Sequence, residues 1–305
     1  MVGKEFYERV VELESACFSS KVILENAIQT NGTLLDEEWI QLFKRHGFQA
    51  AISLDGPADI HDKRRITAGG KGTHDCIVRN LELLRSQDYP IRFLAVVTPE
   101  AVRRGREIYQ YFRQLGCKWM DFLYPICNEV ASTFDRPMDP AALGQFFCDV
   151  FDAWIEEGDP GVHVRTLNDW CTRLLGGHTI TCHTKTDCSY VVTVDTDGSI
   201  LVCDDLMAFV DSRLGHIEDH GLELIEKHRF LTRLADPEVL FCKECSGCGF
   251  FEVCGGGCSL FRVTGKDKFG GPNIFCLTQK KAIRHIRNSL LDMGTTVSPL
   301  LPRPE

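Results

Sequence analysis

Along the first half of the chain, apolar positions switch between two rhythms. Residues 4–14 repeat at helical spacing through Phe6, Val10 and Leu13. Lys21–Ile28 then reads as a strand and runs into Gln29-Thr30-Asn31-Gly32. Asp36 is placed to cap a helix whose stripe is Trp39, Ile40 and Phe43, and Gly47 stops it. Phe48–Leu54 is the next strand, closed by Asp55-Gly56-Pro57, and a glycine-rich loop leads to a helix over Thr73–Ser86. Ile91–Val97 and Trp119–Tyr124 are further strands, with a helix between them from Pro99 to Gly116. A helix over residues 139–157, a short strand at Val162–Arg165 and a helix at 167–175 complete the series. Strands alternating with helices predict βαβ units on a parallel sheet. In a barrel of such units, chemistry collects where the strands end.

Past Gly176-Gly177 the rhythm changes. Tyr190–Val194 and Ser199–Cys203 alternate on either side of Asp195-Thr196-Asp197-Gly198, which predicts a hairpin. Loops dense in Cys and Gly follow, then a helix at 276–291 and a Pro-rich tail. The expected domains are 1–176, 177–291 and a tail at 292–305.

Composition sharpens this picture in two ways. The formal charge of −9 makes gripping a phosphate backbone a poor expectation, so nucleic acid is excluded as a partner. No apolar run approaches the roughly 18 residues of a membrane span, and no secretory signal pattern opens the sequence. A membrane partner is therefore not expected, and a cytoplasmic location is. The outlier is cysteine, with 15 in 305 residues, ten of them between Cys171 and Cys276. In a reducing compartment that clustering points to metal or iron–sulfur ligation rather than disulfides.

The central pattern is Cys245-x2-Cys248-x5-Cys254-x3-Cys258, then Cys276, with Cys182, Cys188 and Cys203 upstream. Eight thiolates make two four-thiolate sites, and Gly255-Gly256-Gly257 permits tight wrapping. Spacing alone leaves zinc and iron–sulfur equally open. Cys242 offers a second CxxC register with Cys245, and Cys127 follows a strand end. Cys17, Cys76, Cys117, Cys148 and Cys171 read as small buried hydrophobes.

The run Cys188-x9-Gly198-x4-Cys203 followed by that cysteine pattern resembles the SPASM domain of radical S-adenosylmethionine enzymes. Gln29–Asp36, Ser53–Pro57 and His61–Arg65 with Gly69–Thr73 are most similar to anaerobic sulfatase-maturating enzymes. The resemblance implies an α/β fold: a partial (β/α)6 barrel without its first strands, then a Cys-rich SPASM domain of a hairpin and loops. It implies two auxiliary [4Fe–4S] clusters, one on Cys182, Cys188, Cys203 and Cys258, the other on Cys245, Cys248, Cys254 and Cys276. It also implies Asp204 as general base and Ser53, Arg65 and Ile126 as S-adenosylmethionine contacts. Asp205 adjoins Asp204 and competes with it for the assignment. The reaction implied is oxidation of a Cys or Ser in a sulfatase polypeptide to formylglycine. The implied reductant is a protein such as flavodoxin or ferredoxin.

The CxxxCxxC motif that holds the radical-initiating cluster does not occur among the cysteines. The expectation is a truncated oxidoreductase, inactive alone, whose third [4Fe–4S] cluster belongs to a missing N-terminal segment. Alternative readings are a SPASM enzyme that modifies a ribosomal peptide, a non-catalytic iron–sulfur protein that binds peptide or relays electrons, and a zinc interaction module.

Overall fold

A computed structural model describes residues 3–125, 138–179, 181–185, 191–205, 213–220, 243–258, 260–263 and 273–299. The chain divides into two compact units, Met1–Tyr124 with Asp149–Arg165, and Pro125–Cys148 with Thr166–Glu305.

The first unit is built on a parallel sheet of β1 (Ala27–Thr30), β2 (Gln49–Ser53), β3 (Arg92–Val96), β4 (Trp119–Leu123) and β5 (His163–Val164), in that spatial order. A strand order that never reverses is the order of a barrel sector rather than of a doubly wound sheet. The helices α1 (Lys4–Cys17), α2 (Glu37–His46), α3 (Ala58–His61), α4 (His74–Ser86) and α5 (Gly105–Gln114) fall between the strands or ahead of them.

Local chemistry explains the boundaries. Asp36 Oδ1 accepts the Trp39 N–H at 2.8 Å to start α2, and Gly47 ends it in the left-handed region at φ 70°. The strand expected at Lys21–Ile28 forms only at Ala27–Thr30, since α1 continues to Cys17 and a turn follows it. The helix expected from Pro99 begins at Gly105, because Thr98 first accepts from Ala101 and Val102 in a separate turn.

The sheet's two faces do different work. Phe93 of β3 lies 4.8 Å from Phe112 of α5, and Phe122 of β4 stacks on Phe112 at 6.0 Å, so one face is apolar core. On those strands Arg92, Leu94 and Asp121 instead line a cavity of about 350 Å³ with Gln29, Ala51 and Arg165. Alternation along each strand separates the two roles.

The second unit holds most of the cysteines. Its three-stranded antiparallel sheet consists of β6 (Thr193–Val194), β7 (Ser199–Leu201) and β8 (Arg213–His216). The hairpin turn is closed by Gly198 N–H to Asp195 O at 2.9 Å. Gly198 sits at φ +85°, and a Cβ there would come within 2.6 Å of His216 Nε2. Strand β8 was not expected, because Arg-Leu-Gly-His offers a single apolar residue. The helix Cys276–Asp292 buries Ala282, Ile283, Ile286 and Leu290 at helical spacing. Its Thr278 Oγ1 donates to Pro140 O at 3.0 Å, at the start of the helix Pro140–Glu157. At the other end, Ser298 N–H donates to Leu174 O at 2.7 Å.

Candidate functional site

At the carboxyl ends of β2 and β3 a closed set of hydrogen bonds surrounds Arg65. Ser53 ends β2, is buried, and accepts from Gln29 Nε2 at 3.4 Å. Two residues on, the buried Asp55 carboxylate takes Arg65 Nε at 2.5 Å and Nη2 at 3.0 Å. Its Oδ1 also accepts the Val96 N–H at 2.9 Å, which ties this loop to the end of β3. The Asp55 N–H donates to His61 Nδ1 at 3.2 Å. That bond requires the proton of neutral His61 to sit on Nε2, which lies 3.0 Å from Thr73 Oγ1. Thr73 passes its own proton to Arg65 O at 2.9 Å. His61 is fully buried, and desolvation, outweighing the charges of Asp55 and Asp62, lowers it from 6.5 to about 4. The Asp55 pair uses one side of the guanidinium. The Arg65 side chain is 30% exposed, and its Nη1 is outside the Asp55 pair.

Asp55, His61 and Thr73 were not singled out as chemistry in the sequence. A carboxylate two residues past a strand end, ten residues before an arginine, was the available signal. A second ion pair, Arg165 Nε to Asp121 Oδ2 at 2.7 Å, lies in the cavity on the sheet's open face and was also missed.

In the second unit, three stretches of chain bring cysteines together. Burial first, then Cys276 and Cys248, push the Cys254 thiol up to about 11, against the N–H of Gly256 and the charge of Arg262. Lys280 interacts with Cys276, Cys248 and Cys245. Cys248 and Cys276 therefore lie within electrostatic reach of both Cys254 and Lys280, and Cys245 within reach of Lys280. Gly256 N–H donates to Cys254 Sγ at 3.4 Å, the kind of bond that holds a thiolate ligand. For the other expected set, helix Cys182–Lys185 packs on helix Phe251–Cys254. His183 meets Phe261, three residues beyond Cys258, at 6.4 Å. Cys203 donates to Asp204 Oδ1 at 3.7 Å, and Cys203, Asp204 and Asp205 offer atoms within 4.8 Å of one another. Loss of solvent and the neighbouring Asp204 raise Asp205. Cys188, Cys127, Cys242 and Ile126 lie outside the described residues.

Residues 2–119 match the profile of the Radical SAM superfamily. The chain as a whole is homologous to anaerobic sulfatase-maturating enzymes. It is 28% identical over 306 residues to the cysteine-type enzyme of Clostridium perfringens (strain 13 / Type A), covering 97% of this chain and 81% of that protein. It is 25% identical to the serine-type enzyme of Bacteroides thetaiotaomicron, covering 92% and 72%. The solved structure of native anSMEcpe with bound AdoMet and Kp18Cys peptide superposes with a TM-score of 0.83 at 27% identity, covering 96% of this chain and 82% of that one. Streptococcus suis SuiB bound to S-adenosylmethionine shares the fold at a TM-score of 0.61 and 14% identity. The expected partial barrel with a Cys-rich second part, and a radical SAM oxidoreductase as the enzyme class, are borne out. The radical SAM superfamily uses an iron–sulfur cluster with S-adenosylmethionine. No helix among the described residues is long and apolar enough to cross a membrane.

The residues present fit iron–sulfur ligation on their own chemistry. Among the described residues no two cysteines form a disulfide. Gly255, Gly256 and Gly257 follow Cys254 at φ 59°, 82° and 75°. A Cβ on Gly256 would stand 2.6 Å from Arg262 Nη2, and one on Gly257 would stand 2.0 Å from Asn273 Nδ2. Arg262 is 2% exposed, and its Nε, Nη1 and Nη2 have no hydrogen-bond partner among the described residues. A buried, unpaired guanidinium beside thiols is a lining that suits an anionic group. The remaining cysteines divide differently from the expectation. Cys117 and Cys148 are buried, and burial pushes Cys117 up to about 12. Cys17 is exposed and Cys76 and Cys171 are half-buried, since their helix faces turn partly outward.

Proposed function

We propose that this chain acts in the oxidation of a Cys or Ser side chain of a sulfatase polypeptide to formylglycine, with S-adenosylmethionine as cosubstrate. The observation that carries the reading is the approach of Cys254 to Cys248 and Cys276, with Lys280 beside Cys276, Cys248 and Cys245, in a homologue of sulfatase-maturating enzymes. In this reading those four thiolates hold one auxiliary [4Fe–4S] cluster, and Cys182, Cys188, Cys203 and Cys258 hold a second. When bound, S-adenosylmethionine supplies hydrogen-atom abstraction and the clusters supply electron acceptance.

The chain's own residues bind and move protons. Arg65, its side edge fixed by Asp55, offers its Nη1 to the carboxylate of S-adenosylmethionine. Ser53 and Ile126 complete that contact surface. Asp204, exposed beside Cys203, accepts the proton of the substrate thiol or hydroxyl on a carboxylate oxygen. A cytoplasmic location and a flavodoxin or ferredoxin as electron donor suit thiolate chemistry in a reducing compartment.

The test is anaerobic incubation of the protein with S-adenosylmethionine, reductant and a peptide containing Cys-x-Pro-x-Arg or Ser-x-Pro-x-Arg. Mass spectrometry and hydrazide capture read the aldehyde. The expected result is aldehyde at the Cys or Ser with parent protein and none with Asp204→Asn. An unmodified sulfatase peptide alongside a modified unrelated peptide would overturn the substrate assignment.

A further inference from the structure

Among the described residues near the cysteines, Arg262 is a buried charged group without an ion-pair or hydrogen-bond partner. Arg262 lies in the helix Leu260–Val263, four residues after Cys258, and is 2% exposed. All three of its side-chain nitrogens are buried without a hydrogen-bond partner among the described residues. A guanidinium has five N–H donors and does not deprotonate in proteins, so neutralisation is not a way out. Burying such a group unpaired is strongly unfavourable, and a fold tolerates it where an anion completes the site. The guanidinium is packed onto Gly256, with Cζ 3.4 Å and Nη2 2.6 Å from the position of a Cβ there. Gly256 is the midpoint of the run from Cys254 to Cys258, and its N–H bonds Cys254 Sγ. Arg262 therefore stands against the strip of backbone that joins the two expected ligand sets.

Building on the cluster assignment above, we propose that Arg262 is the fixed counter-cation of the auxiliary cluster that uses Cys254, and that it raises the reduction potential of that cluster. Four thiolates around an iron–sulfur core carry net negative charge, and reduction adds one more. A permanent cation that cannot leave or titrate stabilises the reduced form more than the oxidised one. Lys280, a second cation near these thiols, is less buried and borders Cys245, Cys248 and Cys276 from its own helix. Arg262 acts as a positioning and tuning residue, because it touches neither substrate nor reacting atoms.

The test compares parent chain with Arg262→Lys, Arg262→Gln and Arg262→Met, all reconstituted anaerobically with iron and sulfide. Three quantities are read: iron per chain, the midpoint of an EPR-monitored reductive titration, and the thermal midpoint of apo and loaded protein. The expected result for Met and Gln is at least a tenfold shift toward the oxidised cluster, about 59 mV for one electron, with Lys close to parent. In the same variants the apo protein melts higher than parent, because an orphan charge is gone, while the loaded protein melts lower. Loss of iron with Met, retained with Lys, supports the same reading. Equal destabilisation of apo and loaded forms, with an unmoved potential, would make Arg262 a packing residue and overturn the proposal. Failure of Lys and Met alike to load, with both apo forms melting lower, overturns it too. A parent chain that takes up no iron would refute the cluster assignment itself, and this inference with it.

Discussion

Acid should weaken the first unit through His61, by an amount the structure sets. The buried ring is held neutral, its Nδ1 accepting from Asp55 N and its Nε2 facing Thr73 Oγ1. Its ordinary value of 6.5 falls to about 4 in the fold. Between those values the unfolded chain binds a proton that the folded chain refuses, so stability rises with pH across that window and is lost as pH falls through it. The linkage integral gives a loss of about 2 kcal/mol between pH 7 and pH 5, and about 3 kcal/mol once pH 4 is passed. Other groups titrate in the same range, so the comparison is with His61→Asn. Asparagine keeps an acceptor for the Asp55 N–H and removes both the titration and the bond to Thr73. At pH 7 the variant should be less stable by about 1–3 kcal/mol for the lost hydrogen bond and volume. At pH 5 most of that gap should be gone, since only the parent suffers from the proton. Urea titrations followed by tryptophan fluorescence at pH 7, 6 and 5 measure the gap. A gap that stays constant across the three would refute the neutral, strained-to-protonate histidine.

Three further outcomes follow from the same geometry. Asp55→Ala leaves the Val96 N–H and the side edge of Arg65 without an acceptor, so it should cost about 2–4 kcal/mol in urea titrations and weaken S-adenosylmethionine binding by calorimetry. Asp36→Ala removes the cap of α2 and a contact to Lys4 on an exposed edge, and should cost about 1 kcal/mol in the same assay. Anaerobic chelation of iron should lower the melting temperature of the loaded chain and release thiols that titrate with a thiol reagent, while a chelator without effect on either would count against ligation.

How far the sequence led depended on the kind of signal. An element that is amphipathic and bounded by a cap was readable, as with Asp36 and Gly47 around α2, whereas α5, without a side-chain cap, starts six residues later than its sequence indicated. Short strands carry little pattern: β5 was expected within one residue at each end, while Arg213–His216, with a single apolar residue, exists because β7 offers it an edge. The cysteine spacing indicated ligation, but only the folding of Cys276 back toward Cys248 and Cys254 brings these distant cysteines near one another. The Arg65 network was invisible for a similar reason. Asp55 and Thr73 are turn residues by type, and their role arises from a loop closing on itself over 18 positions. Arg262 reads as one basic residue among many until its burial and lack of partners are known.

The central claim is that these thiolates hold the iron–sulfur centres of a radical enzyme. Iron, acid-labile sulfide and zinc analysis of the anaerobically purified 305-residue chain tests it most directly. The account predicts about eight irons and eight sulfides per chain, two [4Fe–4S] sites, with negligible zinc. Stoichiometric zinc without iron or sulfide would contradict it and leave a metal-stapled interaction module in its place.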